Sequence, residues 1–575
     1  MEFKRLKANL KRDFSGAKRV KAAVLGDSAT QLLCLAMRGY GYEQRLDLEI
    51  YEAGYDLLER EILDPGSGLY AFDPDFTLLF PSTPKLHKAF LKTGPEARSG
   101  FASAYLAKVA GWWAALEKRK ARKIIHFNFG ELEDGAFGHY ANKVAQSFLF
   151  QLRKINFGLM ELAPQHGSAF INDIASLQSR HGHRTAFSPQ LYINADMVFA
   201  LDHLPYVAKG AVDIMAAALG SARKCLILDL DNTLWGGVIG DDGLEGIQIG
   251  DLGVGKAYSE LQWWAKELKE RGIVLAVCSK NDDKTAREPF GKHPDMVLAL
   301  DDIAVFMANW ENKPENIKRI QAILNIGFDS MVFLDDNPFE REMVRKALPE
   351  VLVPELPEDP AEYVPFLREA NLFETASFSG EDLGRTRMYK EEAGRQEAAM
   401  SFASEEEFLA GLGMTAEVSP CNAFNTPRVA QLSQRSNQFN LRTVRYTDQE
   451  VASLADSPEW RTFVFNLRDK FGDYGLVSAI LLRRQEDAWF IDTWIMSCRV
   501  LKRGMERFSL ERLVLALRGN GARKLVGEYL PTAKNGLVKD HYANLDFKRS
   551  GDRWELDLGT YRPAVHFIKE TTHEL

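Results

Sequence analysis

Three things are scarce in this chain, and each scarcity excludes something. Cysteine occurs five times in 575 residues, too seldom for a disulfide framework, so a reducing, cytoplasmic setting is expected. No apolar run reaches the length that crosses a bilayer. The N-terminus, Met1 to Lys7 (MEFKRLK), leads into further charge and lacks the apolar run of a signal peptide. Positive charge is outweighed: 72 Lys and Arg face 80 Asp and Glu, a net −8. That balance argues against a general nucleic-acid binder, since phosphate backbones demand a basic surface. What remains is an ordinary globular composition, 46% hydrophobic and 26% charged. The length exceeds what one core can serve, so several domains are expected.

Hydrophobic patterning divides the chain. Residues 1–220 alternate apolar runs with helical stretches: 21–25 (KAAVL) and 123–129 (KIIHFNF) read as strands, 100–116 as a helix. A second α/β unit, 221–375, is expected to place strands at 225–230, 273–278, 296–300 and 331–334, with a helix over 257–271 between them. That alternation predicts a parallel sheet. Prolines at 349, 354, 357, 360 and 365 mark its far edge. A charged linker, 376–401, includes a predicted helix over 381–399, and a third unit, 402–575, carries strand signals at 461–466, 476–483 and 486–498.

The central unit holds the densest chemistry. Three predicted strands each run into polar groups: Asp229-Leu230-Asp231-Asn232-Thr233, Ser279-Lys280-Asn281 and Asp335-Asp336-Asn337. In an open parallel sheet ligands bind at the carboxyl ends of strands, so these ends converge. Asp229, Asp231, Asp335 and Asp336 would repel one another unless a cation neutralised them, and all-oxygen ligation suits Mg²⁺. Asp229 is the candidate nucleophile and Asp231 the candidate acid–base group, protonating the leaving oxygen and then activating water. Ser279 is expected to bind a phosphoryl oxygen, Thr233 and Asn281 to contact substrate, and Lys313, before a helix-starting proline, to neutralise phosphoryl charge. Asp-Asp pairs at strand ends are commonly just solvated loops, and Asp301-Asp302 reads that way; the full ordered set does not. Gly250 to Lys256 (GDLGVGK) has the glycine and lysine spacing of a P-loop, but Ala257 stands where a Mg²⁺-binding hydroxyl is needed.

These residues resemble the FkbH-like proteins, a haloacid-dehalogenase subgroup of polyketide and related biosynthesis. The strings that carry the resemblance are 228–238 (LDLDNTLWGGV), 309–313 (NWENK), 333–338 (FLDDNP), 436–441 (SNQFNL), 471–475 (FGDYG), 494–501 (WIMSCRVL) and 527–535 (GEYLPTAKN). They span about 221–550. The resemblance implies a Mg²⁺-dependent phosphatase that takes a glyceryl group from a glycolytic bisphosphoglycerate, dephosphorylates it and loads it onto the phosphopantetheine thiol of an acyl carrier protein. It also implies a central HAD-like Rossmannoid sheet and an acetyltransferase-like (GNAT) C-terminal third.

Read on its own residues, that third places Cys498 at a strand end, before Arg499, Lys502, Arg503 and Gly504 and a helix from 506. Cations and a helix N-terminus lower a thiol pKa and cradle phosphates. Cys498 is thus the candidate acyl carrier, although an isolated cysteine is commonly a buried structural one. Lys502 stands where the family and the acetyltransferase loop have glycine, which alters how closely backbone approaches phosphate. Asn437, Gln438 and Asn440 are candidates to orient the acyl group, and Asp473, His541 and Tyr542 candidate acid–base groups, with buried or solvated structural roles as the plainer alternatives.

In the N-terminal unit, Val24 to Ser28 (VLGDS) sets a serine after a strand as in SGNH hydrolases. That chemistry needs a histidine, usually within Asp-x-x-His. No histidine before residue 220 has Asp three positions earlier, and Asp202-His203 is mis-spaced. An SGNH-like fold in a docking or structural role is expected, without a working triad. The whole reads as three α/β domains with no nucleic-acid or membrane partner. A free-standing phosphatase and a carrier-docking scaffold are the rival readings.

Overall fold

A computed structural model describes residues 2–118, 123–378, 387–389, 391, 395, 402, 404–485, 488–519, 521–532 and 534–571, the Cys498 side chain excepted. The chain forms two compact units, Met1–Leu219 and Gly220–Leu575.

In the first unit β1 (Lys18–Gly26), β2 (Leu46–Glu52), β3 (Phe76–Phe80), β4 (Lys123–Phe127) and β5 (Ala169–Asn172) form a parallel sheet in the order β2-β1-β3-β4-β5. Every residue of β3 and β4 is buried, the sign of a sheet covered on both faces. Helix Phe101–Glu117 buries Trp112 and Trp113 against it. Ser28 is buried after β1, and its Oγ has no hydrogen-bond partner. His203 is buried with both ring nitrogens likewise unpartnered, so Ser28 and His203 do not form a hydrogen-bonded dyad. Asp27 accepts the Ser82 N–H on both carboxylate oxygens, at 3.0 and 2.9 Å.

In the second unit β6 (Cys225–Leu228), β7 (Val274–Ser279), β8 (Ile303–Ala308) and β9 (Met331–Leu334) make a parallel sheet ordered β8-β7-β6-β9, with helix Gly255–Glu270 on one face. The strand expected at 296–300 lies instead at β8. The Val297 and Leu298 N–H groups donate to Gln262 Oε1 (2.9 and 3.3 Å) and Ala299 N–H to Asp302 (2.9 Å). Side chains thus consume the donors a ladder would need, and the next apolar run takes the edge.

A larger sheet follows, built from β10 (Thr415–Ser419), β11 (Trp460–Asp469), β12 (Gly472–Gln485), β13 (Ala488–Met496), β14 (Lys524–Glu528), β15 (Lys548–Ser550), β16 (Arg553–Asp557) and β17 (Lys569–Glu570), ordered β15-β16-β14-β13-β12-β11-β10-β17. The two sheets of this unit are tied together: Lys224 Nζ donates to Arg435 O (2.9 Å), Arg435 to Ser377 O (2.8 Å), and Lys534 pairs with Asp329. Most of the helix expected over 381–399 lies outside the described residues. Of it, Arg395 is buried and grips Asp469 at 2.8 and 2.9 Å. Among the described residues no helix is long and apolar enough to cross a membrane.

Burial pushes the Asp27 carboxyl up to about 6, against the Ser82 hydrogen bonds that favour its charge. A carboxyl raised in the folded state binds its proton more tightly there than in the unfolded chain. Its contribution is therefore intact below about pH 4 and is lost as pH rises through 6. At pH 7.5 ionised Asp27 costs about 3 kcal/mol. Asp27→Asn should accordingly raise the thermal midpoint of the first unit by roughly 6–12 °C at pH 7.5 and leave it unchanged at pH 4, as calorimetry would read.

Candidate active site

Parallel pairing places the carboxylates. β6 and β9 are in register with Leu228 beside Leu334, and the Asp229 N–H continues the ladder to Leu334 O at 3.0 Å. The next residue on each strand is an aspartate, so Asp229 and Asp335 emerge side by side. Among the described residues, oxygens of Asp229, Asp335 and Asp336 lie within 4.8 Å of one another.

Lys313 enters this cluster from a third element. Asn312 caps the helix Lys313–Leu324 by accepting the Glu315 N–H (3.0 Å), with Pro314 in its first turn. The Lys313 ammonium, 3% exposed, stands 2.9 Å from Asp229 Oδ2 and 2.5 Å from Asp335 Oδ2. Burial works against its charge, but Asp229 and Asp335 outweigh burial and hold its pKa above the usual lysine range. Burial and the neighbouring Asp229 raise the carboxyls of both Asp335 and Asp336. Asp229 Oδ1 is buried with no hydrogen-bond partner, an oxygen whose desolvation is left uncompensated. Ser279 is buried at the end of β7.

Several expectations change here. The Asp231 carboxylate is not in the metal-ligand set: Oδ1 accepts from Trp235 Nε1 (2.9 Å) and Ile239 N–H (3.0 Å), and Oδ2 from Asn281 Nδ2 (2.9 Å). Asn281 therefore holds Asp231. Thr233 is wholly buried, its hydroxyl bonding Asp336 Oδ1 (3.2 Å) and accepting the Asp336 N–H (3.1 Å), so it fixes the second acidic loop. Arg341 escaped sequence reasoning. It donates to the backbone oxygens of Asp335 (2.8 Å) and Asp336 (2.6 Å) and clamps that loop; its place in the first turn of helix Pro338–Ala347, just past Asp-Asp-Asn, was the available signal. The P-loop-like glycines follow no strand, and Lys256 is exposed.

The C-terminal candidates scatter more. Cys498 begins a single 3₁₀ turn, Cys498–Val500, directly after β13; its side chain lies outside the described residues. Lys502 is exposed, and its φ of +64° is the left-handed conformation that glycine adopts freely. The loop geometry therefore persists despite the side chain, and Gly504, φ +78°, caps helix Met505–Arg518. Arg499 does not reach outward for a phosphopantetheine. It is buried, donating to Ser497 Oγ and Tyr474 O at 3.3 Å each and contacting Met388. Arg503 is buried against the Phe408 ring.

Asn437 donates to Gly220 O (3.1 Å) and accepts from Arg445, and Asn440 accepts the Thr443 N–H (2.8 Å); both brace backbone instead of presenting to a ligand. Asp473 pairs with Arg468 at 2.8 Å near the surface. Burial holds His541 neutral, its pKa down to about 3, and raises Tyr542. The Tyr542 ring lies so close on Gly527 that a Cβ there would sit 2.3 Å from it.

A four-stranded parallel sheet whose carboxyl edge gathers three aspartates, a fourth aspartate held beside them and a bridging lysine defines the haloacid-dehalogenase class of phosphoryl-transfer domain. The crystal structure of the N-terminal part of BF1531 from Bacteroides fragilis, containing a phosphatase domain complexed with Mg, is 49% identical over 66% of this chain and 100% of its own, with a TM-score of 0.63. The profile of the FkbH N-terminal domain matches residues 21–216. This chain belongs to the FkbH-like family and carries its HAD-type phosphatase domain. The ribosomal-protein-S18-alanine N-acetyltransferase of Escherichia coli is 15% identical over 27% of this chain and 100% of its own at a TM-score of 0.21, too remote to carry an argument. No curated protein is significantly similar in sequence.

Replacing Lys313 by Met leaves two buried carboxylates facing each other. Under metal-free conditions the variant should lose about 3–5 kcal/mol in urea unfolding. An unchanged midpoint would mean the ammonium contributes nothing to holding the cluster.

Proposed function

We propose that this protein is a Mg²⁺-dependent phosphatase coupled to an acyl transferase, which removes the phosphate from a phosphoglyceryl group and passes the glyceryl unit to the phosphopantetheine thiol of an acyl carrier protein. The observation that carries the phosphatase half is the cluster of buried Asp229 and Asp335 with half-buried Asp336, and its unpartnered Asp229 Oδ1. Three carboxylates fit a hard divalent cation, and the Bacteroides relative is complexed with Mg. When bound, the ion would be held by these three residues and would offset the charge of the transferring phosphoryl group.

The chain's own residues supply the steps. Asp229 attacks phosphorus, the bond to the leaving oxygen breaks, and Asp231 gives that oxygen its proton. Lys313 balances charge on Asp229 as it becomes an aspartyl-phosphate. Asp231 then takes a proton from water as the water attacks phosphorus, the Asp229–phosphorus bond breaks, and inorganic phosphate leaves.

The transfer half rests on the family strings and on the placement of Cys498. β13 and β14 pair only from Ala488–Phe490 to Lys524–Val526 and then diverge. The segment around Asn440 bridges to Ile495 in the gap, and Leu530 N–H bonds Leu441 O at 2.9 Å. A diverging strand pair ahead of a left-handed loop and helix N-terminus supports a GNAT-like reading. Cys498, at the foot of that divergence, would act as a thiolate on an acyl phosphate: the sulfur–carbonyl bond forms as the acyl carbon–oxygen bond breaks and phosphate leaves. The carrier thiolate then attacks the same carbonyl with the Cys498 thiolate as leaving group. The parallel order of the first unit's sheet, β2-β1-β3-β4-β5, supports an SGNH-like fold.

Intact-protein mass spectrometry after mixing with bisphosphoglycerate and Mg²⁺ tests both halves. The native chain should carry a glyceryl adduct, Cys498→Ser none, and Asp229→Asn a phosphoglyceryl adduct, its phosphate release slowed about 10⁴-fold or more. Equal phosphate release with and without Cys498, and no adduct, would establish a free-standing phosphatase instead; release and adducts untouched by Asp229→Asn would leave only a scaffold.

A further inference from the structure

Asp231 poses a problem of placement. Its carboxylate sits two residues from Asp229, in the same short turn, and a divalent cation that draws in Asp229, Asp335 and Asp336 attracts it equally. An acid–base group must stay out of that set to meet the leaving oxygen. The turn from Leu230 to Trp235 closes tightly, with Leu234 N–H on Leu230 O at 2.7 Å and Asn232 at φ +53°. It folds the Trp235 indole back over Asp231. The indole is wholly buried and set edge-on to Phe290, centroids 6.0 Å apart, so its N–H direction is fixed. Asn281 arrives from the end of β7, buried, with its Oδ1 occupied by the Asp282 N–H at 3.1 Å. Only its amide NH₂ is left to face Asp231.

Resting on the phosphatase reading above, we propose that Trp235 and Asn281 are positioning residues that hold the Asp231 carboxylate out of the metal set and aim one of its oxygens at the leaving oxygen. An ionised carboxylate offers about four lone-pair sites. Oδ1 uses two, on Trp235 Nε1 and Ile239 N, and Oδ2 uses one, on Asn281. The remaining site is on Oδ2, and that is the site open to the leaving oxygen. Trp235 thus anchors one oxygen as a pivot, and Asn281 aims the other.

The test compares Trp235→Phe and Asn281→Ser with the native chain on two phosphate esters: p-nitrophenyl phosphate, whose leaving group needs no proton, and a phosphoglycerate, whose alkoxide does. In a single turnover, where leaving-group release is read before the aspartyl-phosphate common to both esters is hydrolysed, loss of general-acid positioning should slow release from the alkyl ester by about 10²-fold and from the aryl ester by less than about threefold, the same split that Asp231→Asn gives. Magnesium binding by titration calorimetry should be retained or tightened, because a released Asp231 can join the set. Parallel losses on both esters, no loss on either, or a Mg²⁺ affinity weakened by about 10-fold or more, as when a metal site's support is disturbed, would overturn the proposal. Asn281→Ser keeps the test open should the fully buried Trp235 not tolerate replacement. A native chain inactive on both esters removes the phosphatase reading itself, and this inference with it; an active native chain with parallel losses in the variants removes the inference alone.

Discussion

Lys313 brings one ammonium to a point where two buried carboxylates would otherwise face each other, and the geometry of the central site follows from that contact. The ladder fixes Asp229 beside Asp335 whether or not their charges are balanced. Strand pairing cannot relieve their repulsion, so a cation has to come from another element. The Asn312 cap and Pro314 begin a helix that delivers it at 2.9 and 2.5 Å. One positive charge among Asp229, Asp335 and Asp336 still leaves the cluster negative and one Asp229 oxygen without a partner. That residual charge is the physical demand a divalent ion meets.

Around this core the neighbouring side chains divide their tasks. Thr233 and Arg341 pin the Asp335–Asp336 loop through its side chain and backbone, while Trp235, Ile239 and Asn281 hold Asp231 apart. The phosphoryl-transfer site is therefore a small charged centre inside a shell of directed hydrogen bonds, which is how preorganised sites keep reacting groups from collapsing onto each other.

Much of this was legible before any coordinates. Strand runs of four to six apolar residues ending in Asp or Ser declare both the sheet and its reactive edge, because in parallel sheets those ends must converge. What could not be read was which partner each polar side chain chooses. Asn281 and Thr233 look like substrate ligands in a string, yet across folded loops they meet Asp231 and Asp336. Residues 296–300 carry a strand's apolarity, but Gln262, far off in sequence, takes their donors. In the C-terminal third the helix N-terminus follows from the loop pattern, whereas the left-handed Lys502, the inward turn of Arg499 and the bracing role of Asn437 depend on packing that no spacing encodes.

The central claim is that a divalent cation completes the Asp229–Asp335–Asp336 cluster. Anomalous diffraction from crystals of the native chain soaked in Mn²⁺ tests it most directly. A single strong peak within coordination distance of all three carboxylates is the predicted result. Carboxylates paired only with Lys313, with manganese bound elsewhere or nowhere, would contradict it.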